Sequence, residues 1–213
     1  MQRATPYAAA AALFAAGVAL RSQIVAIGPL LPRIQSSLGI SHAVAGLLAT
    51  IPVLCMGIFA PSAPFVLRHA RSRAAIGACL AAIGLFGLAR AAAPGIAGVL
   101  VLTVPLGIAI AVAGTLLPVV VREWRVGRSA LATGMYTTGI NVGATTSSVV
   151  AVPLAVLGGW RTSLSALAPA GLGAARDLSG SFTWPLVALV FDAALLTAVG
   201  ATLSPNRLSD QSM

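Results

Sequence analysis

The sequence predicts an all-α fold: a polytopic membrane helix bundle of about six transmembrane helices. Three observations predict it. The chain is 58% hydrophobic and only 8% charged, with a mean hydropathy of +0.98, whereas a soluble domain carries about 25% charged and about 45–50% apolar residues. A compact water-soluble chain could not cover its surface with so few charges. The apolar residues also fall into long runs, most of them near the ~20 residues that a helix needs to cross the hydrocarbon core. Length sets the number of such helices. Twelve would need ~240 residues before any loop, and 213 residues leave room for roughly five to seven.

The first run extends from Tyr7 to Leu31, interrupted at Arg21, Ser22 and Gln23. Its start imitates a signal peptide, with Arg3, an apolar stretch and small residues around Ala16 to Ala19. Apolar character resumes beyond Gln23 to full spanning length, which favours a span. A polar connection, Pro32 to His42, leads to the second run, Ala43 to Leu67, closed by Arg68, His69, Arg71 and Arg73. The third, Ala74 to Leu88, is short and ends at Arg90 and the breaker Ala93-Pro94-Gly95. The fourth runs from Ile96 to Val121, followed by Arg122, Glu123, Arg125 and Arg128. The fifth, Ser129 to Leu157, stops at Gly158-Gly159-Trp160-Arg161. Ser163 to Ala175 is apolar but holds Pro169 and is too short to span comfortably, so it reads as a stub before the polar turn Arg176 to Ser181. The last run, Phe182 to Leu203, is a span with Asp192 near its middle, and Ser204 to Met213 is a polar tail.

Charge excludes several functions and orients the bundle. All 13 basic residues are arginine, against four acids, Glu123, Asp177, Asp192 and Asp210. The resulting +9 is not gathered into one patch with interleaved aromatics, so nucleic acid is not the expected partner. The arginines instead punctuate the apolar runs, as topology-setting charges do. With the N-terminus inside, Arg3, Arg68, Arg71, Arg73, Arg122, Arg125, Arg128 and Arg207 face the cytoplasm, and Arg33, Arg90, Arg161 and Arg176 face outward. That bias predicts a multi-pass protein of the cytoplasmic membrane with both termini cytoplasmic, as an even number of spans requires. Cys55 and Cys79 lie inside apolar runs with no CxxC or His/Cys cluster, so neither a zinc site nor a disulfide framework is expected. No GxSxG, P-loop or HExxH occurs and the acids are unpaired, so the reading is not an enzyme and calls for no cofactor.

Polar residues within the runs mark candidate sites. Arg21 falls midway along the first run, where a charge costs ~2.5–3.5 kcal/mol by insertion scales. It needs a water-filled cavity, an anionic ligand or a counter-charge, for which Asp192 is the one ionisable residue at comparable depth. Gln23 and Ser22 add polar capacity beside it. In the fifth run Thr137, Asn141, Thr145 and Ser148 recur at helical spacing and line one face, with Tyr136 next to it. Such a stripe either lines a cavity or hydrogen-bonds between helices. Gly139-x-x-x-Gly143 fits close helix packing. Pro52 and Pro105 place kinks in the second and fourth runs.

Several stretches resemble the major facilitator superfamily, and within it the cyanate permease and nitroimidazole-transporter group. Leu20-Arg21 with Val25-Ala26-Ile27-Gly28-Pro29-Leu30-Leu31-Pro32 and Leu38-Gly39-Ile40-Ser41 is similar to that group's first helix and following loop. His42 to Leu48 with Thr50-Ile51-Pro52-Val53-Leu54 is similar to the second. Gly134-Met135-Tyr136-Thr137 with Gly139 to Ala144 is similar to the fifth, and Gly159-Trp160-Arg161 to its loop. The segment Ser165 to Pro169 and then Arg176 to Leu186 resembles instead the junction of the eleventh and twelfth helices. The resemblance therefore implies residues 1–161 as helices one to five, 162–182 as an extracytoplasmic stub and turn, and 183–213 as the last helix and its cytoplasmic tail.

The family implies two six-helix halves around a central site, working by alternating access on a small, often anionic solute such as cyanate. Carried over, Arg21 with Gln23 would belong to the substrate site on the first helix, and Tyr136, Thr137 and Asn141 would face it from the fifth. Arg68, Arg71 and Arg73 would form the cytoplasmic gating loop, although the acid that usually precedes them is replaced by Ala63-Pro64-Phe65. A mechanism of two halves would require a shortened chain to pair with a second copy, making a homodimer in the lipid bilayer. The alternative is a six-helix membrane protein that does not transport, a relic or accessory subunit.

Overall fold

The computed structural model describes residues 6–123 and 129–168, and among them only helices occur. In chain order they are α1 (Pro6–Val25), α2 (Ile27–Leu38), α3 (His42–Phe59), a 3₁₀ turn (Ala60–Ser62), α4 (Ala63–His69), α5 (Ser72–Ala92), α6 (Ile96–Glu123) and α7 (Ser129–Leu167). Grouped by continuity they give five helices long and apolar enough to cross a membrane: Ala11–Leu38, His42–His69, Ala74–Ala92, Ile96–Arg122 and Ala130–Leu167. The expected sixth span, with Asp192, lies outside the described residues.

The first span runs further than the apolar run suggested. Pro32 to Leu38, read from sequence as a polar connection, is helix, and Pro32 sits inside it. Ile27, Leu30 and Ile34 are buried at helical spacing, while Arg33, Ser36 and Ser37 occupy the exposed side. The polar letters are thus one face of an amphipathic end. The stop is Gly39, whose left-handed backbone (φ 62°, ψ 33°) caps α2 and returns an N–H to the Gln35 carbonyl. Ser41 then caps α3 by accepting from the Val44 N–H at 3.4 Å.

The longest packing seam joins α1 to α7. A side chain at Gly143 would meet the Val18 carbonyl oxygen at 2.6 Å, and one at Gly139 would strike the Phe14 carbonyl. From the other side, one at Gly17 would strike the Tyr136 carbonyl. Backbone meets backbone here, which only small residues allow. A second seam sets α3 on α6, where a side chain at Gly107 would meet Pro52 and Cys55 at 3.1 Å.

Two apolar clusters make the core. One joins α1, α5 and α6 through Leu13, Leu20, Ile76, Leu80, Leu106 and Leu116. The other gathers Ile27, Leu30, Ile34, Val99, Trp160 and Leu164 at the end of the bundle where α2 finishes. Residues 160–167, which run into the segment read as a stub from Ser163, are helical and contribute Trp160, Leu164 and Leu167 to that second cluster. They follow a break at Gly159, whose φ of 84° and ψ of 168° redirect the chain. On α3, Val53, Leu54 and Ile58 stay uncovered by protein, as the lipid-facing side of a membrane helix does.

Candidate functional site

Arg21 opens into a cavity of about 290 Å³ walled by α1, α3, the 3₁₀ turn, α6 and α7. Most of the wall is apolar: Leu20, Ile24, Met56, Ile110, Leu117 and Ile140 among others. Among the described residues its polar groups are the Arg21 guanidinium, the Tyr136 phenol and the Thr115 hydroxyl, and no acid lines it. Thr115 turns its hydroxyl inward to its own helix, donating to the Ala111 and Val112 carbonyls at 3.2 and 2.9 Å. That leaves one cation and one phenol as the groups able to address a ligand. The volume lies at the low end of small-molecule pockets, which run from about 300 to 1,000 Å³.

The other sequence-derived candidates scatter. Gln23 is turned away from the cavity and is 1% exposed, because two residues along a helix rotate a side chain by about 200°. Its carbonyl and Oε1 instead accept from one Arg90 amino group at 3.2 and 2.9 Å. Ser22 is also buried, and its hydroxyl is spent on the Val18 carbonyl at 2.6 Å. The three residues read as one polar cluster therefore serve separate surroundings. Thr137 and Asn141 do not line the cavity. They lie exposed on α7, the hydroxyl of one bonded to Thr133 O at 2.8 Å and the amide of the other to Thr137 O at 3.1 Å. Their stripe is on the opposite side of α7 from Gly139, Gly143 and Ser147, which are buried against the bundle.

Arg68 sits in the last turn of α4, where a cation complements the carbonyl end of the helix. Arg71 is the N-cap residue of α5. Both are exposed. The Arg73 side chain and Asp192 lie outside what the structure describes.

Arg90 is the residue that sequence reading misplaced. Its charge predicts an outward loop residue closing a run at Leu88, yet α5 continues to Ala92 and Arg90 is 0% exposed. The available signal was the alanine run after it, which carries the apolar helix past the charge, and Gly87 one turn earlier, which leaves space beside Gln23. Its neighbours at this end are consumed in the same way. Arg161 donates to the Ala91 carbonyl at 3.1 Å and to that of Ala93, and its guanidinium stacks over Trp160 at 4.6 Å. Arg33 donates to the Ala155 carbonyl at 3.3 Å, and the Trp160 indole N–H donates to the Ser37 hydroxyl at 3.2 Å.

An apolar multi-span bundle with a small cavity, entered by one cation that meets no acid among the described residues, has the form of a polytopic membrane protein. More particularly, the chain belongs to the major facilitator superfamily, whose family model it matches over residues 8–203. It is 28% identical over 144 residues to the uncharacterized transporter YycB of Bacillus subtilis, covering 67% of this chain and 36% of that protein. It is 28% identical over 120 residues to the cyanate transport protein CynX of Escherichia coli, covering 56% of this chain and 31% of that protein. The aligned region thus spans about a third of the length of each of these curated relatives.

Proposed function

We propose that this chain carries the solute-binding face of a secondary transporter for a small monovalent anion, of the size and charge of cyanate, working by alternating access. The observation that carries the reading is Arg21: a cation in an apolar-walled cavity of about 290 Å³ with no acid among its described lining residues. A low-polarity wall strengthens the attraction of one fixed charge for one anion. The small volume favours a compact solute, and a relative bears the name of a cyanate transport protein. Tyr136 supplies a hydroxyl on the same wall, suited to hydrogen-bonding the bound anion.

In this reading residues 1–161 form the first five helices of a six-helix half, residues 162–182 the outer connection and residues 183–213 the last helix. A second copy of the chain would supply the other half, with the exposed Thr137 and Asn141 stripe turned toward the shared path. The exposed Arg68, Arg71 and Arg122 at one end support a cytoplasmic location for that end and for both termini. Arg68, Arg71 and Arg73 would then form the loop that gates it.

The test is uptake into proteoliposomes carrying the purified full chain, with labelled cyanate, nitrite and formate as probes. The expected outcome is saturable uptake of at least one of them, reduced at least ~10-fold by Arg21→Ala, a loss of about 1.4 kcal/mol of binding or more. Absence of uptake by the unaltered chain for every probe would overturn the reading and favour a six-helix protein that does not transport. Cross-linking in the membrane tests the second copy separately.

A further inference from the structure

We propose that Arg90 and Gln23 form a second, enclosed site, separate from the Arg21 cavity, that holds one carboxylate. Arg90 is 0% exposed and Gln23 1%. One Arg90 amino group is bonded to Gln23. The Arg90 Nε and its other amino group, and the Gln23 Nε2, are buried with no partner among the described residues. Three donors without an acceptor therefore surround one charge. Guanidinium does not lose its proton in a protein, so neutralisation by deprotonation is closed to it. Water could accept a hydrogen bond here but could not balance the charge, and an unbalanced buried cation is strongly disfavoured. A carboxylate meets both needs, since its two oxygens accept several N–H donors at once and carry the opposite charge.

No described residue supplies it. Glu123 is the sole acid within the described stretches, and it ends α6, whereas Arg90 lies just before that helix begins. The 28 residues of α6 put about 42 Å between its ends at roughly 1.5 Å per residue. Gly87 lies next to Gln23. A side chain there would meet Gln23 Oε1 at 3.0 Å and the Ala168 Cβ at 3.3 Å. Ala168 is the last described residue and lies near Gln23, and Asp177 and Asp192 follow it in the sequence. The carboxylate has two possible sources, one of these side chains or a free carboxylate from solution, and they are separable.

The experiment measures the thermal midpoint of the purified full chain in detergent, which does not depend on transport activity. Asp177→Asn and Asp192→Asn are made alone, together with Arg90→Met and together with Arg21→Ala, and the unaltered chain is titrated with sodium acetate against sodium chloride of equal ionic strength. If the chain supplies the carboxylate, one Asp→Asn change lowers Tm by about 5 °C, and adding Arg90→Met to it causes no further loss. If the carboxylate comes from solution, acetate raises Tm of the unaltered chain and of Arg21→Ala by a similar amount, and leaves Arg90→Met unmoved. Both primary readouts are made on chains that keep Arg90, so a poorly folding Arg90→Met leaves the test intact. The proposal is overturned if neither aspartate change nor acetate shifts Tm, or if the aspartates couple to Arg21 and not to Arg90.

Discussion

Arg21 and Arg90 are both arginines within apolar helices, and the molecule treats them in opposite ways. Arg21 points into an open cavity with no bonded partner among the described residues. Arg90 is enclosed and fixed to the carbonyl and amide oxygen of Gln23. The difference extends to their surroundings. Around Arg90, the far ends of α2, α5 and α7 are tied by Arg33, Arg161 and Trp160 to backbone carbonyls and a hydroxyl. Around Arg21 and along the exposed face of α7, hydroxyl and amide groups bond within their own helix. One region is cross-linked between helices, and the other is left free to meet something else. A bundle that must present a site and yet keep its shape can divide the work in this way, with rigidity at one end and unspent polar capacity on one face.

The sharpest way to break the comparison is to remove a tie from the closed end. Trp160→Ala deletes a side chain that is 5% exposed, packed in the apolar cluster with Ile34 and Leu164 and bonded to Ser37. The expected loss is about 3 kcal/mol, read as a lower midpoint in denaturant titration of the detergent-solubilised chain. Arg21→Ala, made in parallel, should stay within about 0.5 kcal/mol of the unaltered chain, because the side chain is exposed and bonded to no described residue. Equal losses from the two changes would mean that the cavity region is as much a part of the stability as the closed end.

A smaller effect is expected at the bend that delivers Trp160 to that cluster. Gly159 holds φ 84° and ψ 168°, a region that residues with a side chain avoid. No neighbouring atom would obstruct a Cβ there, so the cost of Gly159→Ala is backbone strain alone. It should amount to about 1–2 kcal/mol, with the unfolding transition keeping its slope. Gly158→Ala is the contrast: the helix continues through it, and a Cβ would meet Thr162 at 2.7 Å, so its penalty comes from crowding that the Thr162 side chain can relieve.

These positions also show what could be read from the sequence. Spans were legible because hydrophobic run length is a direct physical requirement of the bilayer, and the resemblance was carried by local stretches such as Gly139 to Gly143. The ends of the elements were not. Arg33, Gln35 and Ser36 look like a loop by composition, and only the spacing of Ile27, Leu30 and Ile34 identifies them as the wet side of a helix. Arg90 looked like a boundary because a charge usually marks one. Its burial depends on Gln23, 67 residues away in the chain, and no local pattern encodes such a pairing. Arg21 and Gln23 failed as a cluster for a plainer reason, since residues two apart on a helix point in nearly opposite directions.

The mildest change asks whether the free face of α7 is held in reserve for function. Asn141 is exposed and spends one N–H on the Thr137 carbonyl one turn back. That carbonyl already has a helical partner, so Asn141→Ala strands no buried group and should change stability by less than about 0.5 kcal/mol. If the stripe faces the solute path, the same variant lowers uptake in the proteoliposome assay while the midpoint stays put. If it faces lipid, Asn141→Leu replaces a polar group in hydrocarbon by an apolar one, and the chain becomes more stable with uptake unchanged. The two variants move different observables in opposite senses, so together they decide whether the open region is a surface waiting for its ligand or one turned to the membrane.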